Sequence, residues 1–245
     1  MTQLLVGVHP DADAVSEAVA NRMAAAIIRT LSKSDYAHIC ITGGRGGHGA
    51  LANLAQDAGI DWSRVHVWWS DERFLAMGDE QRNDTMAHAV LLEVVGAPVA
   101  NVHSMPSPDQ YADVGEAARA YVRELAAFGD PCPAFCISVL GMGEDGHVAS
   151  LFPEHAGLAD ERVAFAVTDS PKPPPVRISM SFSTINAAAE VVLIASGAGK
   201  ADAVGLLIND PGPLAVPAAG VHGKHLTVLE LDEAAAAHLP PGLSR

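Results

Sequence analysis

Positive charge is scarce in this sequence: fifteen lysines and arginines stand against twenty-nine aspartates and glutamates in 245 residues, a formal net charge of −14. A surface of that sign repels nucleic acid and anionic membranes, so neither is an expected partner. Cysteine is scarcer still. The three present, Cys40, Cys132 and Cys136, are an odd number for a disulfide framework, and two of them sit inside apolar runs. They read as small buried hydrophobes in a reducing cytosol. Zinc would need further ligands at paired spacing, so no metal is expected. No stretch approaches the roughly 20 apolar residues of a membrane-spanning helix. Residues 1–13 carry no Lys or Arg ahead of an apolar run, which argues against a secretory leader. The expectation is a cytoplasmic chain.

What is present is apolar material: 49% of the residues are hydrophobic, enough to bury a sizeable core. Strand-like runs at 3–8, 38–42, 65–70, 135–140, 163–167, 177–182, 191–195 and 225–229 alternate with helix-like runs at 13–31, 49–58, 83–95, 108–127 and 199–208. In the first helix-like run Val15, Val19, Met23, Ile27 and Leu31 recur every fourth residue, which keeps one apolar stripe. Alternation of this kind predicts a three-layer, Rossmann-like α/β fold with a mostly parallel sheet. The near-continuous hydrophobicity of 135–140 and 191–194 fits strands covered on both faces. No internal repeat is visible. The proline-rich segment 170–175 could mark a domain boundary, but a strand pattern resumes after it. It reads as a rigid loop within one domain spanning residues 1–245.

Four segments carry the residues of chemistry. Residues 139–153, Val-Leu-Gly-Met-Gly-Glu-Asp-Gly-His-Val-Ala-Ser-Leu-Phe-Pro, run from an apolar strand into glycines, then Asp145 and His147. A strand ending in such a turn delivers amides and side chains to the carboxyl edge of a sheet, where open α/β folds bind ligands. A neutral imidazole there can take a proton from water at neutral pH. In residues 39–49 a strand enters a glycine-dense turn (Thr42-Gly43-Gly44-Arg45) and then a helix, which is either a phosphate cradle or a merely flexible turn. It is neither a Walker loop nor a clean dinucleotide fingerprint. Asp71-Glu72-Arg73, with Asn83 further on, is either a solvated strand edge or a polar wall of a site. Lys172, stiffened by prolines, is followed by Arg177 at a strand start and Lys200 at a helix start. Fixed cations of this kind are what a phosphate monoester requires.

Taken together, Asp145-Gly146-His147 with Ala149-Ser150-Leu151-Phe152-Pro153 resembles the GxGxDGHxASLFP motif of the 6-phosphogluconolactonase family. Thr42-Gly43-Gly44 is similar to the family's SGGSTP loop, with Arg45-Gly46 in place of Ser-Thr. Asp71-Glu72-Arg73 is similar to the start of its DERxV pattern, while the SN that follows keeps only Asn83. The stretch from Pro171 to Ser179 resembles PKPPxxRIT, and Gly197 to Lys200 resembles GxxK. The likeness runs in order from the glycine loop to Lys200. It implies hydrolysis of 6-phospho-D-glucono-1,5-lactone to 6-phosphogluconate in the oxidative pentose phosphate pathway, with a phosphorylated sugar lactone as the small-molecule partner and no cofactor. The resemblance gives His147 the role of base, with Asp145 orienting it or touching sugar hydroxyls. Arg73 and backbone amides near Gly44 and Gly143 would stabilise the oxyanion. Gly43, Gly44, Arg45, Asp71, Lys172, Arg177 and Lys200 would bind substrate and phosphate. The related glucosamine-6-phosphate deaminases continue from DGH as IAFNEP and carry DEY rather than DER, so the lactonase is favoured.

Overall fold

Asp11 sets the first turn of the chain. Its carboxylate accepts from the Ala14 N–H at 2.9 Å, closing strand β1 (Leu4–His9) and opening helix α1 (Ala12–Leu31). On α1 the four-residue repeat buries Val15, Val19, Met23 and Ile27 completely. The computed structural model describes residues 4–209, 212–240 and 242–243; residue 3 of the first expected strand lies outside them. Among the described residues no helix is long and apolar enough to cross a membrane.

The main sheet also contains β2 (Ala37–Ile41), β3 (Val65–Trp69), β5 (Val102–His103), β6 (Phe135–Gly141), β9 (Glu190–Ala195) and β10 (Leu226–Asp232). Its order is β1-β10-β9-β6-β2-β3-β5, and every pairing is parallel. Helices α1 and α2 (Gly44–Leu54) pack on each other and on β6. Strand β6 has Phe135, Ile137, Val139 and Leu140 buried, as a doubly covered strand should. The carboxyl ends of β2, β6 and β9 are therefore neighbours, and the chain leaves all three through glycine-bearing turns.

Two of the expected strands take a different partner. Strands β7 (Ala164–Val167) and β8 (Arg177–Met180) pair antiparallel with each other, and β8 pairs antiparallel with β4 (Asp71–Arg73), making a separate three-stranded sheet. The cause is connection length. A parallel crossover needs about a dozen residues or more, usually helical, and the proline-rich link between β7 and β8 is shorter and cannot be a helix. Strand β4 itself continues β3 past Ser70, whose N–H donates to Ile41 O while its carbonyl accepts from Met180 N–H, so one residue stitches the two sheets together.

Helix boundaries moved for local reasons. The expected helix at 108–127 begins only at Val114, because Asp113 caps it by accepting from Glu116 N–H at 2.8 Å; this is α4 (Val114–Ala127). The run at 49–58 is α2, which starts inside the glycine turn and ends at Leu54. Residues 83–95 form α3 (Asn83–Ala87) and then a wider π-type turn over His88–Leu92. Phe182, read as the end of a strand, opens the short α5 (Phe182–Ile185), and α6 (Ala201–Ile208) follows a 3-10 turn containing Lys200.

A polar stack lies among β2, β3, β5 and α4. His38 and His66 are register partners with rings 4.8 Å apart, and His66 and His103 stack at 5.2 Å. His66 Nδ1 is 2.9 Å from His103 Nε2, His103 Nδ1 is 2.7 Å from Glu124 Oε1, and Trp68 Nε1–H donates to His38 Nδ1 at 3.1 Å. Burial, and then the neighbouring imidazoles His66 and His103, push the His38 pKa down to about 4.

Candidate active site

Beyond Gly141 the chain folds back on itself within seven residues. Gly143 N–H donates to His147 O at 2.8 Å and Gly146 N–H to Gly143 O at 3.1 Å, with Gly146 in the left-handed region at φ 79°. A Cβ on Gly143 would lie 1.9 Å from His147 Nδ1 and 2.5 Å from Asp145 Oδ1. Only glycine lets both side chains fold over the turn. They meet there: His147 Nδ1 is 2.5 Å from Asp145 Oδ1, and Lys172 Nζ is 3.0 Å from Asp145 Oδ2.

Burial pushes the Asp145 carboxyl up, but the hydrogen bond and charge of His147, then those of Lys172, outweigh it and hold the group well below the usual carboxylate range. An ionised Asp145 accepts, so Nδ1 of His147 must carry the hydrogen. Lys172 Nζ also approaches that Nδ1 at 3.3 Å, but two donors cannot share a bond, and its hydrogen-bond partner is Asp145. Nε2 has no protein partner among the described residues and is the ring nitrogen left to exchange a proton. Phe152 packs against the imidazole at 4.8 Å between ring centroids.

The pair opens onto a cleft of about 180 Å³ lined by Thr42, Gly43, Gly44, Asp71, Arg73, Asn83, Gly141, Met142, Gly143, His147, Ala149, Arg177 and Lys200. On its β2 side, Gly43 precedes α2 without a side-chain cap, and Gly44 has φ 77°. A Cβ on Gly43 would reach Asn83 Oδ1 at 1.8 Å, so that glycine, too, is demanded by a close approach. The first N–H groups of α2 lack helical acceptors and favour anions. The amides on the β6 side behave otherwise. Gly143 N–H is spent on His147 O, Met142 N–H on Ile194 O and Gly141 N–H on Thr42 Oγ1, so among the amides expected near Gly143 that of Gly143 itself is already used.

The Asp71-Glu72-Arg73 segment splits into three functions. Asp71 lines the cleft, accepts from Ser150 Oγ–H at 2.7 Å and lies 4.0 Å from Arg177 Nη1. Glu72 faces away into the protein, where it accepts from the N–H groups of Arg73, Asn83 and Asp84, each at 2.8 Å, and so caps α3. Burial, then Asp84, push its pKa up to about 7 against the opposing pull of Arg82. Arg82 is buried in a two-pronged pair with Asp84 and donates to Leu75 O and Met105 O. Arg73 lines the cleft and donates to Gln81 O. Ser150 and Arg82 support the site without having been assigned a part in it from sequence. Ser150 lies inside the ASLFP motif, which was the available signal; Arg82 stands where the motif usually has Ser and gave none.

Of the four expected phosphate cations, two line the cleft and two stand beside it. Lys200 lines the cleft, with its pKa lowered by burial first, raised by Glu144 and lowered by Lys172. Lys172 is 41% exposed and engaged on Asp145. Arg177 lines the cleft but is only 5% exposed and spends its guanidinium on backbone carbonyls. Arg45 is exposed and does not line the cleft, although its charge is felt at Lys200. Arg73 and Lys200 are the lining cations with no ion pair among the described residues.

The family model described as glucosamine-6-phosphate isomerases/6-phosphogluconolactonase matches residues 10–229. The chain is 45% identical over 248 residues to a 6-phosphogluconolactonase of Streptomyces coelicolor, covering 96% of this chain and 95% of that protein. It is 43% identical over 242 residues to one of Mycobacterium tuberculosis, covering 96% and 98%. Among solved structures, a 6-phosphogluconolactonase of Thermotoga maritima superposes with a TM-score of 0.84 at 26% identity, over 94% of this chain and all of that one. A monomeric glucosamine-6-phosphate deaminase shares the fold at a TM-score of 0.80 and 19% identity.

Proposed function

Because the chain belongs to the glucosamine-6-phosphate isomerase/6-phosphogluconolactonase family, we propose that its cleft hydrolyses 6-phospho-D-glucono-1,5-lactone to 6-phosphogluconate, the lactone-opening step of the oxidative pentose phosphate pathway. The observation that carries the reading is the ionised Asp145 fixing Nδ1 of His147 while Nε2 stays unpartnered beside the cleft. An activated ester needs a water, a base and an electrostatic sink; no cofactor enters. Nε2 takes a proton from water, and the hydroxide adds to the lactone carbonyl. The tetrahedral oxyanion collapses, and the imidazolium returns the proton to the leaving ring oxygen. Asp145 holds the ring and stabilises its charged form in between, as the acidic member of a catalytic triad does.

The free amides of the α2 turn at Gly43 and Gly44, with Arg73 and Lys200, supply the positive potential for the phosphate and for the oxyanion. A well-placed oxyanion donor is worth about 3–4 kcal/mol in other enzymes. Asp71 and Asn83 present acceptors and donors to sugar hydroxyls. The whole chain acts as one domain in the cytoplasm, on a small molecule rather than on nucleic acid.

The deaminase reaction requires a base aimed at a carbon-bound proton. Here the segment after the Asp145–His147 turn is Leu151-Phe152-Pro153, with the Phe152 ring packed at a tilt against the imidazole; Glu154 follows with its N–H bound to Leu214 O, and it does not line the cleft. Purified protein supplied with the phosphorylated lactone should acidify the medium well above the spontaneous rate, and should release no ammonia from glucosamine 6-phosphate. Ammonia at a rate comparable to lactone opening would replace this reading with the deaminase.

A further inference from the structure

Arg177 is tied to the loop that precedes it in the chain. Its Nε–H donates to Pro174 O at 3.0 Å, and Nη2–H donates to Lys172 O at 3.0 Å and to Pro173 O at 3.2 Å. Three successive carbonyls of the 170–175 loop thus close on one planar fork. The loop is completed from its own ends: Ser170 N–H donates to Pro175 O at 3.0 Å, and Ser170 Oγ–H donates to Lys172 O at 2.8 Å. Prolines at 171 and 173–175 have no N–H, so the loop cannot build its own ladder and depends on these carbonyl acceptors being met from outside. What the loop carries is Lys172, whose Nζ lies 3.0 Å from Asp145 Oδ2 and 3.3 Å from His147 Nδ1. On its other side the guanidinium sits over the Phe152 ring, 5.6 Å from the centroid, and Phe152 backs the His147 ring at 4.8 Å.

We propose that Arg177 is a positioning residue for this reaction: it clamps the 170–175 loop so that Lys172 stays on the Asp145–His147 pair, and it does not itself bind the substrate's phosphate. The proposal rests on the lactonase reading and revises the part that sequence resemblance gave to Arg177. Two of its three guanidinium nitrogens are committed to carbonyls, and the third lies 4.0 Å from Asp71 Oδ2. A phosphate would have to compete with all of these inside a side chain that is 5% exposed. The residue type follows from the same geometry. Only a rigid fork can span carbonyls on consecutive residues; a lysine would keep the charge and lose the span.

The test compares Arg177→Met, Arg177→Lys and Lys172→Met, and the Arg177→Met/Lys172→Met double variant, on 6-phosphogluconolactone and on unphosphorylated gluconolactone. Positioning through Lys172 predicts that Arg177→Met lowers kcat by a similar factor, about 10–100-fold, on both lactones, with KM for the phosphorylated one little changed. Arg177→Lys should fall as far, and the double variant should be no worse than Lys172→Met alone. A loss confined to KM for the phosphorylated lactone, a mild Arg177→Lys, or losses that multiply in the double variant would overturn the proposal. Acylation of the Lys172 amine, followed by peptide mass spectrometry, gives a readout that needs no turnover. Released from the clamp, Lys172 should react several-fold faster in Arg177→Lys and Arg177→Met than in wild type, and an unchanged rate counts against the clamp. A wild type inert on both lactones would instead remove the lactonase reading, while the acylation rates still decide the clamp. If Arg177→Met fails to fold, Arg177→Lys carries every arm.

Discussion

His147 is one of eleven histidines, and its surroundings set it apart: an ionised carboxylate on Nδ1, a lysine behind that carboxylate, and a Nε2 beside the cleft. Replacing it by Ala removes the base and leaves Asp145 with Lys172 as its partner, so the turn should survive. Lactone hydrolysis above background should fall about 10²–10⁴-fold, with binding of 6-phosphogluconate largely kept; near-wild-type turnover would take His147 out of the mechanism. At this scale the sequence was most legible where the backbone forces identity. Gly143 and Gly43 admit no Cβ because His147 and Asn83 occupy its place, so the glycines announce the turns that hold the chemistry. Side-chain partners were not legible. Nothing in the order of residues tells that Arg177 turns back onto its own loop, that Glu72 points into the protein, or that the Gly143 N–H is already used.

Among the elements, the parallel strands were readable from apolar runs between helical stretches. The β4-β8-β7 sheet was not, because strand pairing is a long-range property and a three-residue strand such as Asp71–Arg73 has no period to detect. The same holds for the histidine stack, whose members are far apart in sequence and meet only through the β2-β3-β5 order. That stack makes a prediction of its own. The folded-state pKa of His38 is lowered to about 4, and that of His66 is lowered by burial and by His103. Both groups therefore favour the folded state while neutral. Their contribution is complete above an unfolded pKa of about 6.5 and is lost as the pH falls from there towards 4, because the unfolded chain takes up protons first. Thermal melts at pH 7.5, 6 and 5 should show Tm dropping by several degrees, and His38→Gln should flatten the drop. An equal acid slope in that variant would assign the loss to other groups.

For the molecule as a whole, the scarce positive charge is unevenly spent. Of fifteen lysines and arginines, Arg45, Arg73, Lys172, Arg177 and Lys200 lie in or beside one cleft, a third of the total in a chain of net charge −14. An anionic substrate repelled by most of the surface is thereby drawn to one place, and added salt should weaken that capture.

The small sheet carries a further consequence. Arg73 and Arg177 are direct partners across the β4–β8 ladder, a position where like charges destabilise, and burial already makes the Lys200 ammonium uncomfortable. The cleft therefore gathers cations whose mutual repulsion an arriving anion would offset. A Lys200→Met variant should melt a few degrees higher than wild type yet hydrolyse the phosphorylated lactone poorly. Inorganic phosphate should raise the Tm of wild type and do less for the variant; a Tm lower than wild type would show that Lys200 is a net stabiliser. Heat tolerance and turnover then pull this sequence in opposite directions, and selection for heat resistance alone would discharge these cations before it touched the core.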